Sequence, residues 1–286
     1  MSLLAFVIII ISAFMHASWN YLAKRSKGGV GFVWLYTMVS TVIYAPFVIY
    51  ILIYQEISIG WIELGIIAGS AGVHLAYALT LQKGYRVGDF SLIYPIARGT
   101  GPMLVAISAI FLYDERLTPV GIIGIILIIL SVFIITGGLR VLKQSSSVPP
   151  LAYGLLVGIL IAGYTLLDKG AVSVFLIPPL LLNYGGIIGQ LIILTPFAKR
   201  NWKEIQADWK NHRKEAIGVG VLNPLAYILI LTTMVFTPVS YVAPVREVSI
   251  LIGAIMGMVL LSEGFGKRRI IAAGIMVVGI VAITLS

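Results

Sequence analysis

The amino-acid sequence predicts an all-α membrane protein of ten transmembrane helices, arranged as two five-helix repeats of inverted topology. Three observations predict this fold. Of 286 residues, 59% are hydrophobic and 11% are charged, whereas a soluble domain carries about 25% charged residues. Ten apolar stretches are long enough to cross a bilayer. The second half of the chain also repeats polar and aromatic positions of the first half.

The apolar stretches are the first element of the prediction. A helix that crosses the hydrocarbon core needs about 20 mostly apolar residues. Continuous apolar runs favour helices over the alternating strands of a membrane barrel. The first span lacks the basic segment and the cleavage site of a signal peptide, so we expect it to be retained. The predicted spans are 3–22, 31–53, 61–82, 90–112, 118–139, 151–169, 175–197, 216–236, 239–261 and 269–286.

The positive charge is distributed as a topology signal and not as a nucleic-acid-binding surface. Sixteen of the 20 Lys and Arg residues lie in the loops after spans 1, 3, 5, 7 and 9, and only Arg116 and Lys169 lie on the opposite side. Cytoplasmic loops are rich in Lys and Arg. We therefore expect a multi-pass protein of the cytoplasmic (plasma) membrane of a prokaryote. Both termini lie outside, and anionic lipids contact the basic loops at the cytoplasmic face.

An internal duplication divides the chain into repeats at residues 1–142 and 151–286, joined by a polar linker at 143–150. "HASWNYLAK" in span 1 matches "IAGYTLLDK" in span 6, and "LAYALTLQ" in span 3 matches "LAYILILT" in span 8. "YPIARG" matches "APVREV", and "LYDERL" matches "LLSEGF", always about 145–150 residues apart. Five spans are an odd number, so the second repeat enters the membrane from the other side. Inverted repeats are typical of secondary transporters, with the substrate near the midplane.

The ten spans, the duplication, and the stretches from Pro95 to Glu115 and from Pro244 to Glu263 resemble the drug/metabolite transporter superfamily, EamA type. The resemblance covers essentially the whole chain. It implies that spans 1, 3, 4, 6, 8 and 9 enclose a central cavity, that spans 5 and 10 are peripheral, and that transport is export. Members are commonly drawn with both termini in the cytoplasm, and we follow the charge distribution, which places them outside.

Three charged residues, Arg98, Arg246 and Glu247, lie at least seven residues from either end of a predicted span. A charge at a helix centre costs about 2.5–3.5 kcal/mol on insertion scales, so it normally faces a partner or a wet cavity. Arg98 and Glu247 each lie three residues after prolines that the repeat aligns. One interpretation is therefore a structural ion pair, or a coupling element, between the repeats.

The other interpretation is that Arg246 or Arg98 binds an anionic group of a substrate. Neighbouring residues on a helix point about 100° apart, so we expect Arg246 to lie away from an Arg98–Glu247 pair. A forked guanidinium suits a carboxylate, phosphate or phosphonate.

Further site residues are predicted on spans 1, 3, 4 and 8. His16, Trp19 and Asn20 share one helical face, and form either a substrate-binding wall or packing. His16 and His74 are each a candidate for proton coupling, because histidine titrates near neutral pH, or else a hydrogen-bonded packing residue. The tyrosines that add aromatic surface are Tyr77, Tyr94 and Tyr227, of which the first and last are repeat mates.

Residues 199–215 predict an amphipathic helix on the cytoplasmic leaflet. Its apolar stripe consists of Trp202, Ile205 and Trp209, surrounded by charged residues. We expect this stripe to anchor the segment at the membrane surface.

The sequence lacks the motifs of several enzyme classes. It has no GxxxxGK[ST] phosphate loop, no HExxH, no metal-ligand spacing and no GxSxG, and it contains no cysteine. We therefore expect no cofactor, no metal site and no enzymatic activity.

The leading hypothesis is a secondary transporter that moves a small polar or anionic organic metabolite by alternating access. An amino acid, a carboxylate or a phospho/phosphonate compound would suit the arginines, and the proton is the first candidate for a coupling ion. The alternative is a lipid-headgroup flippase with a lateral opening; an intramembrane enzyme is disfavoured. The sequence does not distinguish a monomer from a homodimer.

The topology prediction is testable by labelling, because the chain has no native cysteine. In intact cells, the variant Ser2→Cys is expected to react with a thiol reagent that does not cross the membrane. Labelling that requires permeabilised cells would place the N-terminus in the cytoplasm and contradict the charge argument.

Overall fold

The computed structural model describes residues 1–26, 29–54, 59–87, 90–136, 148–261 and 267–286. Within these ranges the chain is α-helical and contains no β-strand. In chain order the helices are α1 (Leu3–Ser26), α2 (Val30–Tyr54), α3 (Trp61–Val87), α4 (Phe90–Leu112), α5 (Pro119–Thr136), α6 (Val148–Ser173), α7 (Pro179–Arg200), α8 (Trp202–Phe236), α9 (Val239–Arg246), α10 (Val248–Leu261) and α11 (Lys267–Leu285).

Six of these helices, α1, α2, α3, α6, α7 and α8, are long and apolar enough to cross a membrane. Shorter apolar stretches occur in α4, α5 and α11. The all-helical membrane architecture predicted from the sequence is confirmed. The count of ten spans stays a prediction.

The second repeat differs from the prediction in its helix boundaries. Helix α6 begins at Val148, so Pro149 and Pro150, which we assigned to the linker, belong to its first turn. Proline is tolerated there because the first amide groups of a helix have no intrahelical acceptor. The remaining linker residues 143–147 lie outside the described part of the chain.

The segment predicted as a surface helix is separated from the following span by a kink. Within the range of α8, His212 has non-helical backbone angles (φ −130°, ψ 24°) and divides an amphipathic part from the apolar part. Ile205 is buried and packs with Phe32 of α2, while the neighbouring tryptophans are about half exposed. The stripe is therefore divided, because its central residue faces the protein.

The predicted ninth span is divided at Glu247 into α9 and α10. Pro244 has no amide hydrogen, and three residues later the helix tightens. The Glu247 amide donates to the Pro244 carbonyl at 3.0 Å, and the Ile250 amide donates to the Glu247 carbonyl at 2.9 Å. The carboxylate of Glu247 thus projects from a turn between two helices.

Equivalent helices of the two halves make equivalent contacts with the other half. Helix α1 packs against α8 and α10, while α6 packs against α3 and α4. The last helices of the two halves, α5 and α11, pack against each other. Each half thereby completes its core with helices of the other half.

A proline inside α8 shows how the halves satisfy each other's backbone. Pro224 cannot donate to the carbonyl of Gly220, four residues earlier. The Ser40 hydroxyl of α2 donates to that carbonyl at 2.8 Å, and the Tyr44 hydroxyl donates to the Val221 carbonyl at 2.7 Å. Hydroxyl groups from the first half therefore donate hydrogen bonds to carbonyls near Pro224, which is necessary because lipid offers no donor.

Two charged side chains complete the corner between α8 and α9. The Lys169 ammonium donates to the carbonyls of Met234, at 2.6 Å, and Thr237, at 3.2 Å. The Glu115 carboxylate accepts hydrogen bonds from the amides of Val239, at 2.7 Å, and Ser240, at 3.0 Å. A cation at a helix C-terminus and an anion at an N-terminus both complement the helix dipole.

The contact between α5 and α11 depends on two glycines, which makes the packing testable. A Cβ atom at Gly279 would lie 2.8 Å from the Gly124 carbonyl oxygen, whereas one at Gly274, on the same helix, meets nothing within 4 Å. We expect Gly279→Leu to lower the melting temperature of the purified protein and Gly274→Leu to leave it nearly unchanged. Equal melting temperatures for the two variants would contradict this packing.

Candidate functional site

A buried ion pair joins the two halves. Arg98 lies on α4, and Glu247 lies in the turn between α9 and α10. The Arg98 Nε atom is 3.0 Å from the Glu247 Oε2 atom, and the two side chains are 12% and 1% exposed. The structure thus brings together the two residues that the repeat alignment relates.

Arg246 lies closer to this pair than the sequence predicted. Its Nε atom is 3.9 Å from the Glu247 Oε1 atom. The expected separation of neighbouring side chains applies to a regular helix, whereas Glu247 lies in a turn. Two guanidinium groups therefore flank one carboxylate. The Arg246 side chain is 7% exposed, and its Nε and Nη2 atoms make no hydrogen bond to any residue that the structure describes.

The predicted face on α1 forms a local network. The Trp19 indole donates to the His16 Nδ1 atom at 3.4 Å, and the Asn20 amide donates to the His16 carbonyl at 2.7 Å. Both Arg98 and Arg246 lie within electrostatic range of His16. Trp19 also packs partly against the apolar cluster around Phe32 and Ile205, so it contributes to packing as well as to this face.

A second polar cluster surrounds Asp168 on α6. This residue is fully buried. Its Oδ1 atom accepts a hydrogen bond from the Ser70 hydroxyl at 2.5 Å, and its Oδ2 atom lies 3.0 Å from the His74 Nε2 atom. The Tyr227 hydroxyl also donates to Oδ2. The cluster joins α3 of the first half to α6 and α8 of the second.

Aromatic rings pack around His74. Its imidazole stacks on Tyr164, with ring centroids 4.1 Å apart and an interplanar angle of 25°. Tyr227 and Tyr77 make edge contacts, to His74 and Tyr164 respectively, each with centroids 5.5 Å apart. The side chain of Tyr94 lies outside the described residues.

Sequence reasoning named His74 and Tyr227 but missed Asp168, Ser70 and Tyr164 as site residues. Asp168 precedes Lys169 at the end of the predicted span 151–169, in the stretch that we used only as a repeat match. A carboxylate within an apolar helix, four residues after a tyrosine, was the available signal, because ionisable groups in membranes are commonly functional.

Tyr227 links the two clusters. Its hydroxyl contacts Asp168, and it lies within electrostatic range of Arg246. Tyr227 thus lies near the positive charge of Arg246 as well as against the buried carboxylate of Asp168. Among the described residues, no group of three or more His, Cys, Asp or Glu side chains is arranged to hold a metal ion.

Comparison with known proteins supports this architecture. A solved crystal structure, described only as that of a protein, superposes with a TM-score of 0.72 over 98% of each chain at 14% identity. At this identity the likeness shows the fold alone. No curated protein matches the sequence.

The match to a protein family covers nearly the whole chain. Residues 3–137 and residues 149–285 each match the model of the EamA-like transporter family. The match in two segments agrees with a two-repeat organisation, and the resemblance noted from the sequence is confirmed. This chain therefore belongs to the EamA-like transporter family and is a multi-pass membrane transporter of small-molecule solutes.

Proposed function

We propose that the protein is a secondary transporter that exports a small polar organic metabolite bearing an anionic group, by alternating access and in exchange for protons. An amino acid, a carboxylate, or a phospho or phosphonate compound has the required chemistry. The observation that carries the proposal is the Arg246 guanidinium, which is buried with Nε and Nη2 lacking a hydrogen-bond partner among the described residues.

The charges around Glu247 support an anionic ligand. One carboxylate faces two guanidinium groups, at 3.0 Å for Arg98 and 3.9 Å for Arg246. Glu247 lies closer to Arg98 than to Arg246, and a buried guanidinium whose hydrogen bonds are incomplete is costly. A carboxylate or phosphonate at Arg246 would supply the missing acceptors in the forked geometry that guanidinium groups favour.

The surroundings of Arg246 suit a small organic molecule. The His16–Trp19–Asn20 face on α1 and the tyrosine-rich surface near Tyr227 offer aromatic and polar contacts. Because Arg246 is 6% exposed, a ligand reaches it only when helices move apart. Movement of this kind at the interface between inverted repeats is the basis of alternating access.

The proposed topology has ten spans in a prokaryotic plasma membrane with both termini outside. Six spans are the helices that are long and apolar enough to cross a membrane. We assign the other four spans to α4, α5, the α9–α10 pair and α11. The basic loops then contact anionic lipids at the cytoplasmic face. We propose export as the direction of transport because of the resemblance to the family.

Ligand binding by Arg246 is testable with a thermal-shift assay on the purified protein. Glutamate, succinate and phosphonoacetate are the probes, and succinamide is the uncharged match of succinate. We expect at least one anion to raise the melting temperature, and Arg246→Ala to weaken its affinity about 10- to 100-fold, through loss of a charge-assisted hydrogen bond worth about 1.5–3 kcal/mol. The exposed Arg25→Ala is the control.

An unchanged response in Arg246→Ala, or an equal response to succinamide, would remove Arg246 from the site. Stabilisation by phosphatidylglycerol alone, without a response to any soluble anion, would favour the lipid-headgroup flippase.

The Arg98–Glu247 pair is predicted to stabilise the contact between the repeats. Removing one member of a buried ion pair costs about 3–5 kcal/mol, so Arg98→Ala and Glu247→Ala should each lower the melting temperature strongly. The charge-swapped double variant Arg98→Glu/Glu247→Arg should recover part of this loss. Additive effects of the two alanine substitutions in the double alanine variant would show that the side chains do not interact energetically.

A further inference from the structure

The Asp168 cluster is distinct from the Arg98–Glu247 pair, and the ionisable base that contacts its carboxylate among the described residues is His74. Its carboxylate is fully buried. Among the described residues, His74 provides the only basic nitrogen within 4.0 Å of it. The neighbouring ammonium of Lys169 is directed instead to the carbonyls of Met234 and Thr237. Among the described residues, the imidazole of His74 is therefore the group positioned to balance the charge of Asp168.

The other groups that face Asp168 are neutral hydrogen-bond donors or lie at its edge. Ser70 and Tyr227 each donate to the carboxylate. Tyr113 lies within electrostatic range, but its hydroxyl donates to the Leu166 carbonyl. Arg246 on α9 lies within electrostatic range of Tyr227. Among the described residues, the titratable and charged groups around Asp168 include His74 on α3, Tyr164 and Lys169 on α6, Tyr227 on α8, and Tyr113 and Glu115 in the loop after α4.

One proton decides the charge of this cluster. With a neutral imidazole the Asp168–His74 pair carries one buried negative charge, and with one further proton it is neutral. A buried net charge is strongly disfavoured in a membrane protein. In a pair this close, the proton belongs to both groups and not to either residue alone.

His74 is the less buried member of the pair. The His74 side chain is 33% exposed, whereas that of Asp168 is 0% exposed. The Nε2 atom faces the carboxylate, so a further proton would bind at Nδ1 while Nε2 keeps its hydrogen bond to Asp168. No other bond forms or breaks. A sodium ion fits this cluster poorly, because hydrogen-bond donors already occupy the carboxylate oxygens and hard cations favour oxygen ligands.

We propose that Asp168 and His74 together bind one proton, and that this proton controls the contact between α3 of the first repeat and α6 and α8 of the second. One part of this inference rests on the proposed transport function: that the pair is the site of proton coupling. Proton binding itself requires no substrate. Ser70 and Tyr227 hold the carboxylate between the three helices, so a change in its charge alters the strength of every bond in the cluster.

Infrared difference spectroscopy of the purified protein tests proton binding. Spectra recorded at about pH 5 minus about pH 8, the range in which histidine changes charge, should contain carboxyl or imidazolium bands that vanish in both Asp168→Asn and His74→Gln. Tyr227→Phe, which removes one donor but keeps the ring, should shift these bands. Asp208→Asn, on the amphipathic part of α8, should leave them unchanged.

Identical difference bands in wild type, Asp168→Asn and His74→Gln would overturn the proposal, as would bands that vanish only in Glu247→Gln. If Asp168→Asn does not fold, His74→Gln and Tyr227→Phe give the same decision. Since no ligand is added, failure of anion binding at Arg246 leaves this result interpretable, and failure here leaves the Arg246 assay interpretable.

Spin-label distances test control of the helix contact. Ile62 at the start of α3 and Val174 after α6 are both exposed, at 65% and 61%, and the chain has no native cysteine. In Ile62→Cys/Val174→Cys, we expect the distance distribution to change between about pH 5 and about pH 8. The change should disappear when Asp168→Asn is added. A change that persists, or its absence from the parent pair, would overturn control by this proton.

Discussion

The ion pair between Arg98 and Glu247 is the constraint on which the arrangement of the two repeats depends. A charged side chain in a bilayer is costly unless a partner compensates it, and this pair is formed between one residue of each repeat. Arg98 on α4 meets Glu247 at the α9–α10 turn, at 3.0 Å. The pairing fixes the relative position of the repeats, and it leaves Arg246 beside a carboxylate that is already shared.

The backbone follows the same rule as the charges. Polar backbone groups in lipid must be satisfied within the protein. Ser40 supplies the hydrogen bond that Pro224 removes from Gly220. Lys169 and Glu115 satisfy the helix ends at the α8–α9 corner. The bonds from Ser40 and Glu115 cross from the first repeat to the second. Hydrogen bonds to backbone groups at a proline and at a helix end therefore also join the repeats.

Duplication supplied the scaffold, while the polar chemistry is unequal between the halves. In the repeat alignment, Asp168 corresponds to Ala23 and His74 corresponds to Pro224. The carboxylate–imidazole cluster thus has no counterpart in the symmetry-related position. Two similar halves suit a protein that opens to either side in turn, and an unsymmetrical titratable pair is suited to distinguish those two states.

The sequence by itself determined the helical membrane fold, the duplication and the transporter family. Long apolar runs and a constant repeat offset are properties of the chain that need no knowledge of packing. The alignment of Pro95 with Pro244 also related Arg98 to Glu247 in advance. Only the tertiary structure decided that α6 begins at Val148, that the ninth span is divided at Glu247, and that Arg246 approaches the same carboxylate. It alone brought Ser70, His74 and Tyr227 to Asp168, because these residues lie on three helices far apart in the chain, and local periodicity carries no information about which faces meet.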